Sequence, residues 1–124
     1  LILADTSVWI DHFRQADPLL IEYLNDNAVA MHPFVLGEIA LGNLSPRQPI
    51  LAILQGLPAV HPATDEEVLG FISRENLFGQ GIGYVDAHLL AAVRLTPGTV
   101  LWTRDKRLAL AAARFGLAMP TARQ

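Results

Sequence analysis

The sequence predicts an α/β fold, a three-layer α/β/α sandwich around a mostly parallel sheet of about four to five strands. Two patterns predict it. Short apolar runs at 1–4, 28–31 and 99–102 have the length of buried strands, and weaker runs stand at 59–61 and 117–119. Between them, apolar residues recur at helical spacing over 7–14, 18–26, 34–43, 47–56, 65–78, 84–95 and 106–115. Strands alternating with helices specify a layered arrangement, whose ligand crevice lies beyond the carboxyl ends of the strands where strand order reverses.

In chain order, the first strand, "LILA", ends on Asp5, and the helix over 7–14 follows at once with Trp9 and Phe13 on one face. Either Asp5 or Ser7 can cap that helix, and Ser7 in the role would leave Asp5 free. The helix over 18–26 follows Asp17, an acid placed as a dipole partner. After the strand at 28–31, the helix over 34–43 buries Val35, Leu36, Ile39 and Ala40, and Glu38 stands about 60° round from Val35 at the edge of that face. Pro49, Pro58 and Pro62 interrupt the next apolar stretches, and Glu66 and Glu67 start the helix over 65–78 as acids at a positive helix end. The glycines of "GQGIG" fail the spacing of a nucleotide-binding loop and read as a tight turn into 84–95. In that helix Asp86 shares a face with Leu89, Leu90 and Val93. The strand "TVLW" precedes Asp105, which opens the last helix as a cap, as a site residue, or as both.

At 124 residues the chain reads as one domain, 1–124, able to bury about two-thirds of the surface its unfolded form exposes. Cysteine is absent, which excludes a disulfide framework, a thiolate zinc site and a cysteine nucleophile. Only four apolar residues precede Asp5 and no basic segment leads them, so neither a signal peptide nor a membrane anchor is expected, and the expected location is the cytoplasm. The net charge of −3 argues against nonspecific binding to nucleic acid, although a sum hides local clustering. A hydrophobic content of 52% and a mean hydropathy of +0.33 are high for a small solvated monomer, so a partner is expected to cover part of the surface.

Four acids stand where such a crevice would gather them: Asp5, Glu38, Asp86 and Asp105. Asp86 is the most telling. A carboxylate in an apolar stripe is costly by several kcal/mol unless it is protonated, hydrogen-bonded in the core, or bound to metal. Glu38 is the only acid between Asp26 and Asp65, though an ordinary half-exposed glutamate has the same pattern. Asp11 points away from the Trp9–Phe13 face, His88 projects opposite Asp86, and His12, His32 and His61 lack metal-ligand spacing. Converging carboxylates call for a cation, and an all-oxygen donor set suits Mg²⁺, or Mn²⁺ in its place. Phosphodiester hydrolysis is the natural chemistry of such a site, with Thr6, Ser7 and Thr103 steadying carboxylates or waters. Arg104, Lys106 and Arg107 bring three of the nine cations to a helix N-terminus, where the dipole disfavours each by about a few tenths of a kcal/mol. They are candidates for RNA phosphate contacts, with solvated charges at a helix end or pairing with internal acids as the alternatives, and Arg14 and Arg74 are lesser candidates.

The segments "ADTSVWIDHFR", "GYVDAHLLAAV" and "LWTRDKRLA", with the lone helical Glu38, resemble the PIN-domain ribonucleases, specifically the VapC toxins of bacterial toxin–antitoxin pairs. The likeness runs through nearly the whole chain. It implies that Asp5, Glu38, Asp86 and Asp105 are the family's acidic quartet, with Asp5, Asp86 and Asp105 as metal ligands and Ser7 and Thr103 in support. It further implies Mg²⁺-dependent endoribonuclease activity on structured cellular RNA such as tRNA or rRNA, homodimerisation, and neutralisation by a cognate antitoxin. The sparsely charged segment 33–57 is the expected antitoxin contact. A phosphotransfer receiver domain is an alternative of similar size, but it calls for paired acids after the first strand where "ADTS" has one. A haloacid-dehalogenase-type phosphatase needs Asp-x-Asp, and here Asp5 is followed by Thr6 and Ser7. A catalytically inactive PIN-like domain that only binds a partner is a further alternative, against which four intact acids count.

Overall fold

The computed structural model describes residues 1–120. All seven expected helices form: α1 (Thr6–Arg14), α2 (Pro18–Asn25), α3 (Pro33–Ala40), α4 (Arg47–Gln55), α5 (Asp65–Arg74), α6 (Tyr84–Leu95) and α7 (Lys106–Arg114). The strands are β1 (Ile2–Ala4), β2 (Val29–Ala30) and β3 (Val100–Trp102), all parallel in the order β2-β1-β3. Leu3 at the centre pairs with Ala30 on one side and Leu101 on the other. Every residue of β1 and β2 is buried, and because successive strand residues point to opposite faces, both faces of the sheet are covered, as an α/β/α arrangement requires.

Among the described residues the sheet has three strands rather than four to five. The two weaker segments do reach its edges, but each makes a single parallel bridge, Met31 to Ala59 and Leu101 to Ala118. At the first segment proline is the physical reason: Pro58 and Pro62 bracket it, and a residue without an N–H cannot extend a ladder. At the second, Leu117 N–H turns back to the Ala112 carbonyl, which leaves only the Leu117 carbonyl and Met119 N–H on Leu101.

Two helices end earlier than their apolar periodicity suggests. α5 stops at Arg74 because Asn76 adopts a left-handed conformation, φ +54°, and the chain folds back so that Leu77 N–H reaches the Ile72 carbonyl and Asn76 N–H that of Ser73. This is the Schellman arrangement, and it buries Leu77 from outside the helix. α3 ends at Ala40, just before Leu41 and Gly42. α6 is the most deeply buried helix, with an unbroken buried run at 87–93. The strand order reverses between β1 and β3, so the crevice beyond their carboxyl ends is the switch point where parallel α/β sheets place ligands.

Candidate active site

Asp5 sits at that switch point. Its N–H continues the ladder to the Trp102 carbonyl at 2.9 Å, which fixes its backbone directly beyond β1. The side chain is buried, 5% exposed, and fully engaged: Oδ1 accepts from Ser7 Oγ at 2.5 Å and from Val8 N–H at 3.3 Å, and Oδ2 accepts from Thr103 Oγ1. Asp5 is therefore itself the N-cap of α1, and Ser7 lies inside the helix and braces the cap rather than replacing it. Three donors on one carboxylate hold its rotamer.

Thr103 joins the two strand ends. Its hydroxyl donates to Asp5 and accepts from Asp105 N–H at 3.0 Å, while Asp105 Oδ1 caps α7 through Leu108 N–H at 3.0 Å. Across the crevice, Thr6 Oγ1 donates to Glu38 Oε1 at 2.5 Å, so the first residue of α1 tethers the acid of α3. Asp86 stands in the first turn of α6, half-buried, and among the described residues nothing donates a hydrogen bond to its carboxylate. Burial pushes its pKa up to about 6, aided by the charges of Asp5, Asp105 and Glu38 in that order. Asp5, Asp105 and Glu38 thus all act on Asp86 at one crevice, where Asp5 is buried, Asp86 half-buried, and Glu38 and Asp105 exposed.

Among the described residues no three acids or histidines enclose an ion by themselves. The histidines have other work. His32 Nδ1 accepts Phe34 N–H at 2.9 Å and so caps α3, and burial, with His88 nearby, lowers its pKa to about 4 and keeps the ring neutral. The buried His88 meets Asp65 at 3.0 Å, and Tyr84 donates to the same carboxylate oxygen at 2.9 Å.

Of the two roles open to Arg104, the structure shows pairing with internal acids. Nε donates to Asp11 Oδ2 at 3.0 Å, Nη2 to Asp17 Oδ2 at 2.9 Å, and the guanidinium lies 5.4 Å from the centroid of the Trp102 ring. Burial raises the Asp17 pKa, but hydrogen bonds from Leu20 N–H, Arg104 and Leu19 N–H outweigh it and leave the carboxyl below its ordinary value. Asp11 and Asp17 were not expected to join this region. The cluster of cations at the start of α7 was the available signal, since it needed nearby negative charge. Lys106 and Arg107 have no acidic partner among the described residues. Arg107 lies against Gly81 in the loop leading to α6, where a Cβ would come within 2.5 Å of Nη1 and φ is +76°. Glycine there permits both the turn and the close approach of the cation.

Beside the crevice, α2, β3 and α7 border a groove of about 1150 Å³, lined by Leu19, Trp102, Arg104, Leu110, Ala113 and Met119 among others. No helix among the described residues is long and apolar enough to cross a membrane.

No family model matches the chain. Curated proteins do: Ribonuclease VapC32 of Mycobacterium tuberculosis, in strain CDC 1551 / Oshkosh and in strain ATCC 25618 / H37Rv, is 47% identical over 119 residues, covering 96% of this chain and 96% of the relative. Identity at that level across nearly the full length of both chains, together with the parallel α/β sheet, establishes that this chain belongs to the VapC family of PIN-domain ribonucleases.

Proposed function

We propose that the protein is a Mg²⁺-dependent endoribonuclease toxin that cuts phosphodiester bonds of structured cellular RNA, tRNA or rRNA, and is neutralised by a cognate antitoxin. The observation that carries the reading is the grouping of Asp5, Glu38 and Asp105 around a half-buried Asp86 at the switch point of the sheet. Burial, and after it repulsion from Asp5, Asp105 and Glu38, raises the proton affinity of Asp86, and a divalent cation relieves that repulsion where a proton otherwise would. The donor set is all oxygen, which fits Mg²⁺, an ion that keeps several waters and is bound through one or two carboxylates plus substrate phosphates.

In this reading Asp5, Asp86 and Asp105 would hold the cation, directly or through its waters, with Mn²⁺ able to take its place. When bound it activates water near neutral pH and offsets charge developing on the phosphate. The remaining work falls to the protein's own side chains. Ser7, Thr103 and the Val8 N–H fix both oxygens of Asp5, so its geometry is set before substrate arrives. Glu38 is held through Oε1 alone, leaving Oε2 to take a proton from the attacking water. Lys106 and Arg107 would meet RNA phosphates; their lack of acidic partners among the described residues supports this. The segment 33–57 remains the proposed antitoxin contact, supported by exposed Phe34, Leu41 and Ile53, and homodimerisation would cover further apolar surface.

The test is cleavage of end-labelled total tRNA and rRNA by antitoxin-free protein with Mg²⁺ or EDTA, beside Asp86→Asn. Discrete fragments that disappear with EDTA and with the variant support the reading. Intact RNA in every lane, from folded protein that binds Mg²⁺, overturns it.

A further inference from the structure

We propose that Arg104 is a positioning residue for this site, setting where Thr103 and Asp105 stand relative to Asp5; the inference rests on the nuclease reading above. Thr103, Arg104 and Asp105 form the turn between β3 and α7, and the outer two serve the crevice while the middle one turns away from it. The backbone N–H of Arg104 donates to Ser7 Oγ at 3.0 Å, the hydroxyl that itself donates to Asp5 Oδ1. Thr103 makes the second link, to Asp5 Oδ2, and receives Asp105 N–H. Asp5 is thus tied to this turn through both of its oxygens, and Arg104 closes one of the two ties.

Its side chain anchors the turn from outside. One guanidinium edge spans Asp11 on α1 and Asp17, the N-cap of α2, over the face of Trp102. Asp17 is itself fixed: its other oxygen caps α2 through Leu19 and Leu20, and its N–H meets His12 Nδ1 at 3.0 Å. Planar, charge-assisted pairing to carboxylates on two different helices, one of them held by its own helix cap, is rigid in a way that a lysine ammonium cannot reproduce. A phosphate could claim this fork only by displacing both acids. Releasing it frees the turn that carries Asp105, and misplacement of a site group by about 1 Å costs up to about 10²-fold in rate.

The experiment compares wild type with Arg104→Gln, Arg104→Lys, Asp11→Asn and the Arg104→Gln/Asp11→Asn pair. It measures RNA cleavage at saturating Mg²⁺ and, without RNA, Mn²⁺ affinity by electron paramagnetic resonance. Arg104→Gln is expected to lower kcat and Mn²⁺ affinity about tenfold each with little change in KM. Arg104→Lys should recover part of the loss, Asp11→Asn should reproduce part of it, and the pair should be no worse than Arg104→Gln alone. A raised KM with unchanged kcat, together with tighter RNA binding by Asp11→Asn, would show that the guanidinium contacts phosphate and overturn the proposal. If Arg104→Gln does not fold, Arg104→Lys and Asp11→Asn decide by the same measurements. If the wild type cuts no RNA, the nuclease reading fails separately, and Mn²⁺ affinity decides: a loss in the variants supports positioning, equal affinities refute it.

Discussion

Replacing Asp86 by asparagine should stabilise the metal-free protein while abolishing its proposed activity. The rise of the Asp86 pKa from 3.8 to about 6 means that the folded state holds this proton more tightly than the unfolded chain does. Well below pH 3.8 both states are protonated and the group costs nothing; between 3.8 and about 6 the unfolded chain releases its proton first and stability falls, and above about 6 the loss is complete. The full effect is about 3 kcal/mol at about 1.4 kcal/mol per pH unit, and partial exposure to solvent reduces it to about 1–2 kcal/mol. Asparagine removes the charge and keeps the shape, so the variant should gain that amount above pH 7, about 5 °C in Tm for a chain of this size. Urea unfolding of both proteins in EDTA, from pH 4.5 to 8, measures it. The gap should open as pH rises to about 6 and close again in the wild type's favour on adding Mg²⁺, because an ion bound only by the folded state stabilises by about 2.7 kcal/mol at a hundred times its Kd. A gap independent of pH, or a wild type more stable than Asp86→Asn at pH 8 without metal, would refute the reasoning.

Thr103→Val removes the hydroxyl shared by Asp5 and Asp105 at nearly constant volume; it should lower RNA cleavage about 10- to 100-fold and stability by about 1–2 kcal/mol, read by initial rates and urea midpoints. Gly81→Ala places a Cβ against Arg107 in a left-handed turn and should cost about 1–3 kcal/mol, measured by thermal melting, with a smaller loss when combined with Arg107→Ala. Asn76→Gly, at the left-handed end of α5, should leave stability unchanged or raise it by up to about 1 kcal/mol, whereas Asn76→Val should lower it by about 1–2 kcal/mol in the same assay.

The helices were legible because each buries a stripe long enough to repeat at 3.6 residues, and the three main strands because they are short, apolar and buried on both faces. The ends were less so. By helical spacing Leu77 falls opposite the buried Val68 of α5, yet it packs inward because the chain folds back after Asn76, a backbone event that hydrophobic periodicity does not encode. The edge segments at 59–61 and 117–119 have strand composition, yet strand composition does not decide how many residues find a partner when proline brackets the first and Leu117 N–H turns back to Ala112 at the second. In the site, the four acids were visible from their placement at strand ends and on apolar helix faces. Arg104 was visible only as a cation needing compensation; Asp11 and Asp17 lie 93 and 87 residues away, and such pairing belongs to tertiary geometry.

A cap and a site residue looked like competing roles for Asp5 and Asp105, and the structure joins them. Asp5 caps α1, Asp105 caps α7, and Asp86 lies in the first turn of α6, so three helix N-termini face the acids that crowd the crevice. Each N-terminus carries roughly half a positive charge, which offsets part of the repulsion among the carboxylates. Capping also fixes which oxygen points where: at Asp105, Oδ1 is committed to Leu108 N–H, leaving Oδ2 for the crevice. Asp86 gains least from this device, because Gly83 caps α6 without a side-chain hydrogen bond and no described group donates to its carboxylate. The position with the fewest internal partners is therefore the one where an added cation relieves the most, and Asp86 is where the coupling of metal binding to folding should be measured.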